Sequence, residues 1–423
     1  MMLSRYQFDE TKMSELPIDA PPLSVKDALH LMLQHAPAAK AVESVKCIDA
    51  NGRVLARDQV ADRDVPDHDN SAMDGYAVRA QDIGPVERRW FPVQERIPAG
   101  RPGGELAPGS AARIFTGAPI PVGADAVVKQ ELCGLRGGQV GIRPTVRVGE
   151  NIRPRGEDFR RGTAVLQRGM QLRPPEIALA AALGLTELPV FRKPRVAVLS
   201  TGSEVVEPGS HPREGQIFDA NRYALITLVK AIGCEAVDCG HLSDNLEQTC
   251  QGILAASSGV DLIISTGGIS VGDEDHVRRA IEREGQLHLW RVAIKPGKPV
   301  AFGTVGDTLI FGLPGNPIAA FVTFLVLVRP FLKRMLGLET TRQEGLRIAA
   351  EFTAAPAPYR RRFLRARIGN DASGAPQVTL HEKQGSAILT TLSWADGLVE
   401  IPEGETVEAG QMVTYLPFSE LLS

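Results

Sequence analysis

The spacing of apolar and polar positions changes several times along the chain. Residues 1–20 carry little pattern. From Ser24 onward Val25, Ala28, Leu29 and Met32 recur at helical spacing, and Ser24 with Asp27 fits a capping box. Residues 45–60 read as short strands around a turn at Asn51-Gly52. Between 85 and 165 glycine and proline are frequent and the β-like runs are short, at 112–116, 126–130 and 140–143, which predicts a separate, mostly β domain. A helix is expected at 175–183, with Pro174 and Pro175 in its first turn and Gly184 past its end. The domain plan that follows has a linking layer from 22–59 and 163–190 and a small β domain over 60–162.

From Val196 strands and helices alternate. Apolar strands are expected at 196–200, 235–240, 260–266, 287–294 and 308–313, and helices at 221–232, 246–256, 276–284 and 317–336. Such alternation implies a mostly parallel sheet covered on both faces, here over 191–340. After residue 340 the helices stop, and short alternating runs predict a small all-β domain over 341–423, sandwich or barrel. The fold class is thus α/β plus β, in several domains.

Composition narrows the options. Apolar content of 43% and charged content of 23% are ordinary for a globular protein. A net charge of -3 gives no support to a nucleic-acid-binding face. Five cysteines without a C-x-x-C pair read as reduced thiols, which points to the cytoplasm. The N-terminus has no apolar signal core, and the greasiest stretch, 318–328, is far short of the ~20 residues a membrane span needs.

Chemistry gathers where the strands of the α/β domain end, the place where such sheets bind ligands. One loop carries Thr201, Gly202 and Glu204, and a second carries Asp244. A third carries Gly267, Gly268, Ser270 and Asp275, and a fourth is Pro314-Gly315-Asn316-Pro317. Glycines let backbone N–H groups approach an anion. Asn316 as N-cap and Pro317 as first helical residue would aim a helix start at the same place. Glu204, Asp244 and Asp275 are hard oxygen donors suited to magnesium, and Lys295 and Lys298 add positive charge on a Pro/Gly-shaped loop. Singly, each feature is a turn or a solvated group. Together they point to an oxyanion-bearing ligand and a divalent metal, without naming either. Three outlying segments, 69–78, 113–121 and 150–158, are explained on their own terms by turns and a solvated face.

Seven strings give these segments a context: DNSAMDGYAV (69–78), RIFTGAPIPVGADAVV (113–128), ENIRPRGED (150–158), STGSE (200–204), STGGISVGDEDH (265–276), AIKPGKPVAFG (293–303) and GLPGNP (312–317). With them the chain resembles the molybdopterin molybdenumtransferases, the bacterial MoeA proteins and the E domain of gephyrin. The resemblance implies insertion of molybdate into adenylylated molybdopterin with release of AMP, giving molybdenum cofactor, with Mg²⁺ as the usual metal. It also implies an elongated homodimer of four-domain subunits whose α/β domain is similar to the molybdopterin adenylyltransferase. That adenylyltransferase and other proteins of the cofactor pathway are the partners it implies; nucleic acid and membrane are not.

Carried over by position, Asp74, Thr116 and Asp158 fall on the partner-side wall of the cleft. Glu204, Asp244, Asp275, Lys295 and Lys298 fall in the α/β domain, and Pro314 and Pro317 shape the pocket loop. Three positions depart from the common pattern. Ser203 and Asn245 stand where many members have Asp, and Arg291 replaces a frequent Lys. The first two remove candidate metal ligands. Two other readings compete, the preceding adenylyltransferase step and a non-enzymatic scaffold. Segments 69–158 and the domain after 340 exceed what the first needs, and no fused partner domain speaks for the second.

Overall fold

The computed structural model describes residues 21–85, 87–269, 276–338 and 345–422. Contacts divide the chain into two compact units. One comprises Met1–Val45, Gly52–Ala56 and Pro189–Ser423, the other Lys46–Asn51 and Arg57–Leu188.

In the first unit a six-stranded sheet is built from β1 (Arg195–Thr201), β2 (Glu235–Leu242), β3 (Leu262–Thr266), β4 (Gly285–Trp290), β5 (Ala301–Val305) and β6 (Thr308–Leu313). The order is β2-β1-β3-β6-β5-β4. The first four strands of that order run parallel, while β5 and β4 pair antiparallel at one edge. Alternate residues of β1 feed two cores. Val196 and Val198 meet Leu225, Phe311 and the 318–332 helix, whereas Ala197 and Leu199 meet Ile253, Val277 and Ile281. Burial on both faces explains why β1 and β3 read as unbroken apolar runs.

Side-chain caps fix the starts of two covering helices. The Ala220–Ala231 helix is capped by Asp219, and the chain leaves it through Gly233 at φ +99°. Ser24 caps Val25–His35 by accepting from the Asp27 amide at 3.1 Å, and that helix buries Val25, Ala28, Leu31 and Met32. The long helix expected from 317 runs as Pro317–Thr323, a π turn at Phe324–Val328, and Arg329–Met335.

Two expectations are corrected. The strand expected over 287–294 ends at Trp290, because Arg291 takes φ +74° and turns the chain. Ile294 and Lys295 then pair in parallel with Arg361 and Arg362 of the C-terminal domain. The apolar tail of the lysine loop, given no element by the sequence pattern, forms the antiparallel strand β5.

The C-terminal domain is a closed five-stranded barrel. Arg361–Asn370 pairs with both Pro376–Leu380 and Gly397–Ile401, and Leu346–Ala350 and Met412–Pro417 complete the ring. Closure leaves no open edge among these strands, which is how a small β domain avoids unpaired backbone groups.

In the second unit a six-stranded mixed sheet has Gly75–Val78 near one side, between Ala126–Lys129 and Ala111–Ile114. Gly75 must be glycine, since a Cβ there would lie 2.0 Å from the Val128 carbonyl oxygen. The Pro174–Ala182 helix belongs to this unit, and its Glu176 folds back onto Arg173.

Candidate functional site

The carboxyl ends of β1, β2, β3 and β6 open into a cleft of about 1160 Å³. The glycine loops interlock at its floor. Gly267 at φ +92° lets β3 turn under β1, since a Cβ would come within 2.4 Å of the Thr201 carbonyl oxygen. Thr266 donates its hydroxyl to Pro314 O at 2.9 Å, and Asn221 donates to both Thr266 Oγ1 (3.0 Å) and Gly315 O (2.7 Å). Thr201, Gly202, Gly267, Gly268, Pro314, Gly315, Asn316 and Pro317 therefore all line one cavity, as do Glu204, Asp244, Lys295 and Lys298. Ser270 and Asp275 lie outside the described residues.

The acids are held differently. Gly202 sits at φ +138°, and the Glu204 carboxylate folds so closely over it that a Cβ would lie 2.6 Å from Glu204 Oε2. Asp244 Oδ2 accepts from the Ser203 amide at 2.6 Å, and the Ser203 hydroxyl accepts from the Asp244 amide at 3.3 Å. Ser203 thus ties the β1 and β2 loops together. Asn245 accepts from Gln248 N at 3.0 Å as the cap of the Leu246–Ala256 helix, so its side chain serves the helix start. His241 places Nε2 2.6 Å from Gly202 O; a carbonyl only accepts, so that nitrogen carries the proton.

Two carboxylates on neighbouring loops suit magnesium, which commonly takes one or two carboxylates and completes its shell with phosphate and water. Among the described residues no cluster of three or more His, Cys, Asp or Glu forms an all-protein metal cage. The donor set fits a metal that relies on its substrate.

The helix start at Pro317 offers an anion less than expected. Pro317 has no N–H, and the Ile318 amide donates to Ser386 O at 3.0 Å. The lysine loop is better placed. Gly297 at φ +114° packs against the long helix so tightly that a Cβ would lie 2.4 Å from Thr323 Oγ1, which holds Lys295 and Lys298 at the cleft wall.

The opposite wall comes from the barrel, for which the sequence reading gives no chemistry. Arg360, Arg362, Arg365 and Ser386 line the same cleft. Arg365 is 0% exposed, and among the described residues no carboxylate is its partner. Its Nε donates to Thr391 Oγ1 at 3.2 Å and Nη2 to Gly385 O at 3.0 Å and Lys383 O at 3.4 Å, while Nη1 has no hydrogen-bond partner among the described residues. Burial pushes its guanidinium down to about 10. Arg362 is also pushed down by partial burial, and its Nε has no partner among the described residues. A buried charged donor without a partner is costly, and an anion would remove the cost. The sequence signal was the run Arg360-Arg361-Arg362 followed by Arg365, too many cations for one small β domain's core strand. Counting described lining residues, five cations (Lys295, Lys298, Arg360, Arg362, Arg365) face three acids (Glu204, Asp219, Asp244). One of those acids, Asp219, is already paired with Arg222.

In the second unit the three outlying segments do meet. Ser71 N donates to Ala118 O at 2.9 Å, Ala72 N to Asn151 O at 2.9 Å, and Arg155 N to Asp69 Oδ1 at 2.7 Å. Asp74 Oδ1 accepts from both the amide (2.8 Å) and hydroxyl (2.7 Å) of Thr116. Those two bonds hold the Asp74 carboxyl below its usual range. Asp158 is placed by its amide, which donates to Val65 O at 3.0 Å.

Comparison with known proteins covers nearly the whole chain. Family models described as the MoeA N-terminal region (domain I and II), a probable molybdopterin binding domain and the MoeA C-terminal region (domain IV) match residues 23–184, 197–334 and 347–418. A molybdopterin molybdenumtransferase of Haemophilus influenzae is 37% identical over 404 residues, spanning 95% of this chain and all of that one. Molybdopterin molybdenumtransferase 2 of Mycobacterium tuberculosis is 38% identical over 374 residues, 85% of this chain and 91% of its own. A crystal structure of the molybdopterin biosynthesis protein MoeA from Pyrococcus horikoshii superposes with a TM-score of 0.81 at 30% identity, covering 94% of this chain and 100% of that one. With identity at this level over 95% of its length and family models matching all three regions, the chain belongs to the molybdopterin molybdenumtransferase family.

Proposed function

We propose that the protein inserts molybdate into adenylylated molybdopterin and releases AMP, yielding molybdenum cofactor. The observation that carries this reading is the excess of cations in the cleft, among them the buried Arg365 and the half-buried Arg362, each with a nitrogen that has no partner among the described residues. A site that must bring molybdate up to a phosphoanhydride has to offset repulsion between two anions, and fixed cations in a partly desolvated cleft do that.

Lys295 and Lys298 are assigned to the anions as mobile point charges, and Arg365 Nη1 with Arg362 Nε as fixed donors. The glycine loops at Gly202, Gly267–Gly268 and Gly315 supply close backbone approach to the phosphates. Glu204 and Asp244, with Asp275, are assigned to Mg²⁺, which when bound supplies positive charge at the phosphoanhydride and the leaving phosphate. Asp74 is held ionised by Thr116, so it acts by accepting hydrogen bonds from water or substrate rather than by giving up a proton. The reading includes a cytoplasmic homodimer in which Asp74, Thr116 and Asp158 serve the partner's cleft, and the preceding adenylyltransferase as supplier of substrate. These parts rest on the resemblance. Tungstate, nearly equal in size and charge, is expected to compete with molybdate.

The test is to incubate purified protein with adenylylated molybdopterin and follow AMP by chromatography, with and without molybdate. AMP release that requires molybdate is expected. Adenylylation of molybdopterin from ATP without molybdate would instead assign the preceding step.

A further inference from the structure

We infer that Phe218 is a stacking face for a planar heteroaromatic ring, the adenine or the pterin of the ligand that occupies the cleft. The inference rests on the proposed reaction for the identity of those rings.

Phe218 is 48% exposed, joins none of the hydrophobic clusters of the described residues, and lines the cleft. An exposed phenyl ring contributes little to the fold; what distinguishes this one is its place in a cleft, where aromatic side chains commonly meet ligands. It sits on a two-residue strand, Ile217–Phe218, paired in parallel with Val205–Val206. Phe218 is among the residues that line the cavity, while Ile217, also exposed and on the other face of the ribbon, is not. The ribbon grows directly out of the site, since the Ile217 amide donates to Glu204 O at 2.8 Å and the Asp219 amide to Val206 O at 2.9 Å.

What makes this ring a platform is its anchoring. The residue after each strand of the ribbon, Glu207 on one and Asp219 on the other, is bound to the single guanidinium of Arg222. Arg222 is 2% exposed. Its Nε donates to Asp219 Oδ2 at 3.0 Å, and its two Nη groups donate to Glu207 and Asp238. Asp219, 3% exposed, also accepts the Ser200 hydroxyl from β1. One buried cation therefore locks the ribbon to the helix after it and to β1 and β2, and Phe218 is held at the cleft mouth at little ordering cost on binding. The cations and glycine backbone of the lining suit phosphates and molybdate. The ring face suits the flat, uncharged part of the same ligand.

The test compares wild type, Phe218→Ala and Phe218→Tyr by calorimetry with AMP, 6-hydroxymethylpterin and ribose 5-phosphate. Loss of base stacking by alanine substitution, worth ~1–3 kcal/mol in nucleic-acid grooves, corresponds to a fall of roughly 5- to 150-fold in affinity. That fall is expected for AMP if the ring is adenine and for the pterin if it is pterin. Phe218→Tyr should stay near wild type, and ribose 5-phosphate should bind all three proteins equally. Unchanged binding of both ring ligands by Phe218→Ala overturns the inference. So does a parallel fall for ribose 5-phosphate, which would mean general damage to the cleft, and so does failure of the wild type to bind either ring. A selective loss in Phe218→Ala, in a protein that shows no molybdate-dependent AMP release, would sustain the stacking face and defeat the proposed reaction. Normal AMP release with unchanged binding would do the reverse.

Discussion

The two walls of the cleft are built on opposite principles. On the α/β side the functional groups sit on loops, and glycines at φ +138° (Gly202), +92° (Gly267) and +114° (Gly297) bring backbone and side chains together. On the barrel side Arg362 and Arg365 project from a continuous strand, and Arg365 is fixed by its own domain through Thr391 and Gly385. The loops supply adaptable donors and acids; the strand supplies rigid cations. A ligand with a flexible phosphate part and a compact oxyanion could use both, which is why the barrel belongs to the site rather than beside it.

The comparison breaks most sharply at the lysine loop. Replacing Lys298 with Ala should lower the rate of molybdate-dependent AMP release by roughly 10²- to 10³-fold, the scale seen when one preorganised electrostatic donor is removed. Arg365→Gln tests the barrel wall. It should cost about 10²-fold in the same assay and weaken molybdate binding measured by equilibrium dialysis, and a wild-type rate would show that only the loops do chemistry. Gly297→Ala perturbs positioning without touching a charge. Left-handed strain plus the clash with Thr323 should cost ~1–3 kcal/mol of stability by urea unfolding and reduce turnover, while Gly306→Ala, in open space at φ +56°, should show strain alone.

Two smaller effects separate groups that look alike in sequence. Thr116→Ala removes one of the two bonds that lower Asp74, so its titration, followed by carboxyl NMR, should move up toward the ordinary carboxylate range. Because Asp74 is depressed in the folded state, its stabilisation is present above the unfolded value and lost as pH falls through the folded one. The stability gap between wild type and variant should therefore shrink in acid. Asn245→Ala should cost about 1 kcal/mol through loss of the helix cap and leave the magnesium dependence of turnover unchanged. A shifted magnesium dependence would return Asn245 to the metal site.

Much of this was readable in the chain because the α/β domain writes its chemistry locally. A glycine turn after an apolar strand, or a Lys-Pro-Gly-Lys loop, announces both element and site within a few residues. The barrel wall was not readable, because Arg365 acquires its meaning from burial beneath Thr391 and Gly385, residues 26 and 20 positions away in sequence. Asp219 and Arg222 were hidden for a related reason: an N-cap and a helical arginine look ordinary until three carboxylates converge on the guanidinium. The helix start at Pro317 erred the other way. Its local signature was right, but Ser386 from the barrel had already taken the Ile318 amide.

The central claim is that the cleft joins molybdate and adenylylated molybdopterin with both walls taking part. It is tested most directly by measuring AMP release from adenylylated molybdopterin against molybdate concentration for wild type, Lys298→Ala and Arg365→Gln. The account predicts saturable, molybdate-dependent release by the wild type and a large loss in each variant. AMP release by the wild type at full rate without molybdate, or variants indistinguishable from it, would contradict the account.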